Sequence, residues 1–100
     1  MEDAAYLDAV RAHVPRLLDA LVPDLVFYNA GVDPHRDDKL GRLALTDAGL
    51  RARDEIVIGE ARRRGIPLVA VVGGGYSTDV DALARRHAIV FEAMAAAHDA

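Results

Sequence analysis

The sequence predicts an α/β fold in the order α-β-α-β-α, and three observations carry that expectation. Two short apolar runs, Leu25-Val26-Phe27-Tyr28 and Leu68-Val69-Ala70-Val71-Val72, are rich in β-branched or aromatic residues, as strands covered on both faces tend to be. The segments before, between and after them carry apolar residues at helical spacing. Each run is followed by a loop with reactive side chains, Asn29-Ala30-Gly31-Val32-Asp33-Pro34-His35 after the first and Gly73-Gly74-Gly75-Tyr76 after the second. Strands joined by a crossover helix run parallel, so both loops emerge on one sheet edge, where open α/β sheets bind ligands.

The first helix is expected from Asp3 to Leu21, with Leu7, Val10, Val14, Leu17, Leu18 and Leu21 on one face. Pro15 lies inside it and predicts a kink, or a break near His13; Pro23 ends it before the first strand. The second helix begins near Thr46, a good N-cap with Asp47 in the first turn, and runs to Arg64, where Gly65 and Pro67 stop it. Arg62, Arg63 and Arg64 then sit where a helix carboxyl end favours positive charge, so the triplet calls for no nucleic acid or membrane. Internal Gly49 and Gly59 weaken this helix by about 1 kcal/mol each relative to alanine. The third helix is expected from Ser77 or Thr78, with Val80, Leu83, Ala84, His87, Val90, Phe91 and Met94 on one face, fraying into Ala95 to Ala100.

Composition bounds the chemistry. A chain of 100 residues is one small domain at most, and it can bury only about two thirds of the surface its unfolded form exposes. There is no cysteine, which excludes disulfides and thiolate metal sites and leaves histidine, carboxylate and carbonyl ligands for any metal. A net charge of −4 argues against nucleic acid as the main partner. The start, Met1-Glu2-Asp3-Ala4-Ala5-Tyr6, lacks the features of a signal peptide, and no apolar run approaches the roughly 20 residues that span a bilayer. A soluble cytoplasmic location without a membrane partner is the expectation.

In the loops, Gly31 permits a tight turn, and Pro34 biases Asp33 toward extended geometry, which holds a carboxylate at a fixed angle above the sheet edge. Three successive glycines permit positive φ and leave room for close approach to the main chain. Alone they also fit a flexible loop or a phosphate cradle at a helix start, although no Lys-Ser/Thr follows them and they match neither a P-loop nor G-x-G-x-x-G. His35 lies close enough to Asp33 to be near a site, or else is a surface histidine. His87 falls on the apolar face of the last helix and reads as a packed residue; His13 and His98 read as exposed.

Tyr28-Asn29-Ala30-Gly31-Val32-Asp33-Pro34, Asp37-Asp38-Lys39-Leu40-Gly41-Arg42-Leu43 and Gly73-Gly74-Gly75-Tyr76, with Gly49-Leu50 and Arg53-Asp54 between, resemble the carboxyl-terminal third of the histone deacetylase superfamily. The likeness is nearest to its class IV and bacterial branch, with acetoin-utilisation and acetylpolyamine-hydrolase relatives, and runs from about Tyr6 to Val90. It implies a piece of a three-layer α/β/α parallel-sheet fold, a single partial domain over residues 1–100. It implies that Asp33 is a ligand of a catalytic Zn²⁺ and that the Tyr76 hydroxyl polarises the acetyl-amide carbonyl. Gly74, Gly75 and Leu40 match residues of the acyl-lysine tunnel. The substrate implied is acetyl-lysine or another acetylated amine.

The family's Asp-x-His pair of zinc ligands and its His-His acid/base pair have no counterpart in this sequence. The expectation is therefore a carboxyl-terminal segment of a deacetylase-like amidohydrolase, inactive by itself and prone to self-association. The alternatives are a non-catalytic α/β interaction module and a phosphate-binding domain built on Gly73 to Gly75.

Overall fold

The computed structural model describes residues 1–38 and 43–99, so Leu40 lies outside the described residues. The elements follow the expected order: α1 (Asp3–Leu21), β1 (Val26–Asn29), α2 (Asp47–Arg63), β2 (Leu68–Val71) and α3 (Val80–Asp99). The strands pair in parallel, with Val26 opposite Leu68 and Asn29 opposite Val71. Hydrogen bonds from Ala30 N to Val71 O (2.8 Å) and from Val32 N to Gly73 O (3.2 Å) carry the pairing into the loops.

The strands are not covered on both faces. Val26, Tyr28 and Leu68 face an apolar cleft closed by Val14, Leu17 and Leu18 of α1 and by Val57 and Ala61 of α2. Alternation then turns Phe27 and Val69 to the other side, where Phe27 is 73% exposed and Val69 43%. All three helices thus share one face: α1 and α2 cover it, and α3 packs on α2. These residues supply the sheet pair and one helical layer of a three-layer fold, so the continuous apolar character of the runs has only half its cover here.

α1 runs through Pro15 without a break, so of the two outcomes expected there, a kink or a break near His13, the break does not occur. The carbonyl that Pro15 leaves without its helical donor is that of Arg11, an exposed residue where water can replace the bond. At the end, Val22 takes the left-handed conformation (φ 44°), unusual for a β-branched residue; Pro23 after it disfavours the helical alternative. Leu17 and Leu21 are more than half exposed, because a two-stranded sheet is too narrow to cover the whole apolar stripe of α1.

α2 starts as expected, with the Thr46 hydroxyl accepting from Gly49 N at 3.0 Å. At its other end Arg64 donates to Asp19 of α1 at 2.8 Å and to Glu60, so part of the arginine triplet ties two helices together. α3 begins at Val80, later than expected; Asp79 accepts from Ala82 N at 3.0 Å and caps it. It stays helical to Asp99 instead of fraying at Ala95. Its buried positions are Arg86, Val90 and Ala93, a face rotated from the expected one, and Phe91 is exposed.

A buried core lies beneath the loops at the carboxyl ends of the strands. Val32, Leu45 and Leu50 form the core cluster, with Tyr6, Leu43, Leu83 and Ile89 packed against it. Arg36 N donates to Leu45 O (2.9 Å) and Leu45 N to Pro34 O (3.0 Å), a short bridge that holds the Asp33 loop to the lead-in of α2. The loop edge is thereby better supported than the sheet itself.

Candidate active-site edge

The two post-strand loops meet as their parallel start requires. Asp33 Oδ1 lies 2.6 Å from where a Cβ on Gly74 would stand, and 2.7 Å from the same point on Gly31. Gly74 has φ +62°, so a side chain there would be strained in backbone and would strike the carboxylate as well. Asp33, Gly31, Pro34, Gly73 and Gly74 line one open cleft of about 210 Å³ together with Tyr6, Asn29 and Arg53.

Gly75 and Tyr76 stand outside that lining. A Cβ on Gly75 (φ +96°) would come within 2.5 Å of Val32 Cγ2 and 3.0 Å of Leu83 Cδ1, so its missing side chain makes room for α3. At both glycines the space is filled by the chain's own side chains. Tyr76 is 56% exposed, and its backbone N–H donates to the Asp38 carboxylate, which anchors the glycine loop to the segment after Asp33. Asp33 and Tyr76 thus stand on loops in contact, one carboxylate and one phenol at the same sheet edge.

His35 is buried, at 3% exposure, and the surface reading of it is incorrect. Its Nε2 lies 2.7 Å from Asp47 Oδ1, and its Nδ1 accepts from Asp37 N at 3.1 Å. Buried Arg86 reaches the carboxylates of the same two residues, Asp37 at 3.2 Å and Asp47 at 3.5 Å. His35 therefore fastens the loop to the start of α2, and Arg86 of α3 meets the same Asp47 carboxylate. His87 is half buried with its Nδ1 shut off from solvent, and its Nε2 lies 3.4 Å from the Cβ position of Gly75. His13 and His98 are exposed, as expected.

Behind Asp33 sits a polar cluster that spacing alone does not reveal. Arg53 Nη1 donates to Gly31 O at 2.6 Å, Arg53 Nε donates to Asp54 Oδ1 at 3.0 Å, and the Tyr28 hydroxyl donates to that same carboxylate oxygen. Burial, with Asp54 alongside, pushes the Tyr28 hydroxyl far above the ordinary phenol range, so it stays a neutral donor. For Arg53, burial opposes the charge, while the Asp54 carboxylate bonded to its Nε favours it, and the guanidinium stays protonated. The signal in the sequence is an Arg-Asp pair on the helix face that also carries Leu50 and Ala61, where exposed charges would be out of place.

Among the described residues no group of three or more His, Cys, Asp or Glu side chains could hold a metal ion. Asp33 offers one carboxylate, and the neighbouring His35 is turned to Asp47. These residues alone do not form a zinc site. Nor do they make a phosphate cradle. Gly74 faces the Asp33 carboxylate, and the first turn of α3 is already capped by Asp79, so an anion at either place would meet like charge.

The two loops share the carboxyl edge of a parallel sheet, the edge at which open α/β folds bind ligands. The histone deacetylase domain model matches residues 1–94, and the chain belongs to the histone deacetylase family. It is 41% identical over 93 residues to an uncharacterized protein of Picosynechococcus sp., a match that covers 93% of this chain and 31% of that protein. Against histone deacetylase 2 of Arabidopsis thaliana it is 48% identical over 54 residues, covering 54% of this chain and 14% of the other. The chain thus spans about a third, or less, of the length of these relatives.

Proposed function

We propose that this chain is the carboxyl-terminal segment of a zinc-dependent deacetylase-like amidohydrolase. The reaction is hydrolysis of an N-acetyl amide: water adds to the carbonyl carbon, the C–N bond breaks, and amine and acetate leave. Acetyl-lysine in protein and smaller acetylated amines are both compatible with it. Asp33 serves as one ligand of a zinc site completed by side chains outside this sequence. The Tyr76 hydroxyl donates to the carbonyl oxygen as negative charge develops there, which a neutral phenol does well at pH 7. Gly74, Gly75 and Leu40 belong to the substrate passage.

The observation that carries this reading is the contact between the two loops, with the Asp33 carboxylate seated on Gly74 two residues before Tyr76. Family membership supports the reaction class. The test is a chimaera in which this sequence replaces the segment it matches in an active deacetylase of the family. Tyr76→Phe should lower kcat by about 10² to 10³ with zinc retained, since one oxyanion donor is lost and no ligand. Asp33→Ala should lose zinc. Equal effects of the two substitutions on bound zinc would refute this division of roles.

A second reading, association through the uncovered sheet, is favoured by the exposure of Phe27 and Val69 on its bare face. It is compatible with the first, because a catalytic segment that lacks its neighbours leaves such a face open.

A further inference from the structure

The peptide unit that joins Gly31 to Val32 is held at both ends. Its N–H, on Val32, donates to Gly73 O at 3.2 Å, and its C=O, on Gly31, accepts from Arg53 Nη1 at 2.6 Å. Asp33 is the next residue. Rotation of this one peptide plane would swing the Asp33 carboxylate off Gly74, and the two bonds oppose that rotation from opposite sides.

Arg53 is itself fixed by two neighbours, Asp54 and Tyr28. Its Nε donates to Asp54, its guanidinium carbon lies 5.8 Å from the centre of the Tyr28 ring, and the Tyr28 hydroxyl holds the same Asp54 oxygen. Arg53 is 5% exposed and Asp54 1%. Burying such a pair costs desolvation that its mutual attraction only about offsets, so stability alone is a poor reason for it. Geometry is a better one. A planar guanidinium can grip a carbonyl with one nitrogen, a carboxylate with another and a ring with its face, whereas an ammonium group can do only one of these well.

We infer that Arg53 is a positioning residue for Asp33: from α2 it sets the Gly31–Val32 peptide plane and thereby the angle at which the carboxylate meets the glycine loop. Tyr28 and Asp54 hold Arg53 in turn. The inference rests on the reading of Asp33 as the functional carboxylate, but the clamp can be measured without any activity, so its failure is distinct from failure of that reading.

The test is amide hydrogen exchange by NMR on the whole chain, comparing the native sequence with Arg53→Lys. The Val32 amide should exchange at least about tenfold faster, and the nuclear Overhauser contact between the Asp33 β-protons and the Gly74 α-protons should weaken, while helix amides such as that of Ile58 change much less. Should Arg53→Lys not fold, Asp54→Asn is judged by the same comparison, because it loosens the guanidinium and keeps an oxygen in place. An unchanged Val32 amide, or one that loses protection only in step with α2, would overturn the proposal.

Discussion

At the scale of single residues, two carboxylates show how differently the same group can be placed. Asp33 is exposed beside a glycine loop, while Asp3 at the start of α1 is spent on structure: its oxygens accept from Thr46 N at 2.9 Å and from the Thr46 hydroxyl at 2.5 Å. Those hydrogen bonds hold the Asp3 carboxyl below its ordinary value of 3.8. A depressed carboxyl contributes stability that is complete above its unfolded value and is lost as pH falls through the lower folded value. Thermal unfolding followed from pH 6 down to pH 2 should therefore show a loss near and below pH 4 that Asp3→Asn reduces. Gly49 explains itself here, since a Cβ at that position would collide with the Asp3 carboxylate. Gly49→Ala should lower stability in the native sequence, because the two bonds to Thr46 outweigh the helix propensity gained. In an Asp3→Ala background it should raise stability, by up to about 1 kcal/mol. Additive effects in denaturant melts would contradict the contact. The sequence shows Gly49 only as a weak point in a helix, because its reason lies 46 residues away in another element.

At the scale of elements, helices were easily legible and their surroundings were not. Thr46, Pro23, Gly65 and Pro67 act through local backbone chemistry, so the limits of α1 and α2 could be read from spacing and caps. The start of α3 could not, because Ser77, Thr78 and Asp79 all cap well, and only the bond from Ala82 N picks out Asp79. The strand positions followed from the apolar runs, yet those runs report the cover a strand is built for and not the cover it has. Phe27, Val69 and Val71 pay no heed to that difference in sequence; in the fold they form a bare apolar face on a sheet whose two strands also leave open edges. A two-stranded sheet of this kind is rarely stable unsupported, and open edges invite pairing with another chain. Sedimentation at micromolar concentration should find species heavier than the 10.7 kDa monomer, and Phe27→Lys should shift them toward monomer. A sharp monomer with cooperative thermal unfolding in the native sequence would contradict the argument.

At the scale of the whole molecule, the division of labour is between an edge that is well built and a body that is half covered. The core cluster of Val32, Leu45 and Leu50, the His35–Asp47 contact and the Arg53 clamp all converge on the loops that carry Asp33 and Tyr76. Motif residues in order made that edge legible from sequence. The supporting polar residues were not, because Arg86 and Asp47 come together only when α3 folds beside α2. Under the proposed function this edge carries one share of a zinc site and needs others to complete it. Zinc content, measured by elemental analysis on the isolated chain and on the chimaera after dialysis, tests that claim most directly. Little zinc is expected on the isolated chain, and about one zinc per chimaera that Asp33→Ala removes. Stoichiometric zinc on the isolated chain, or a folded chimaera that keeps its zinc without Asp33, would contradict it.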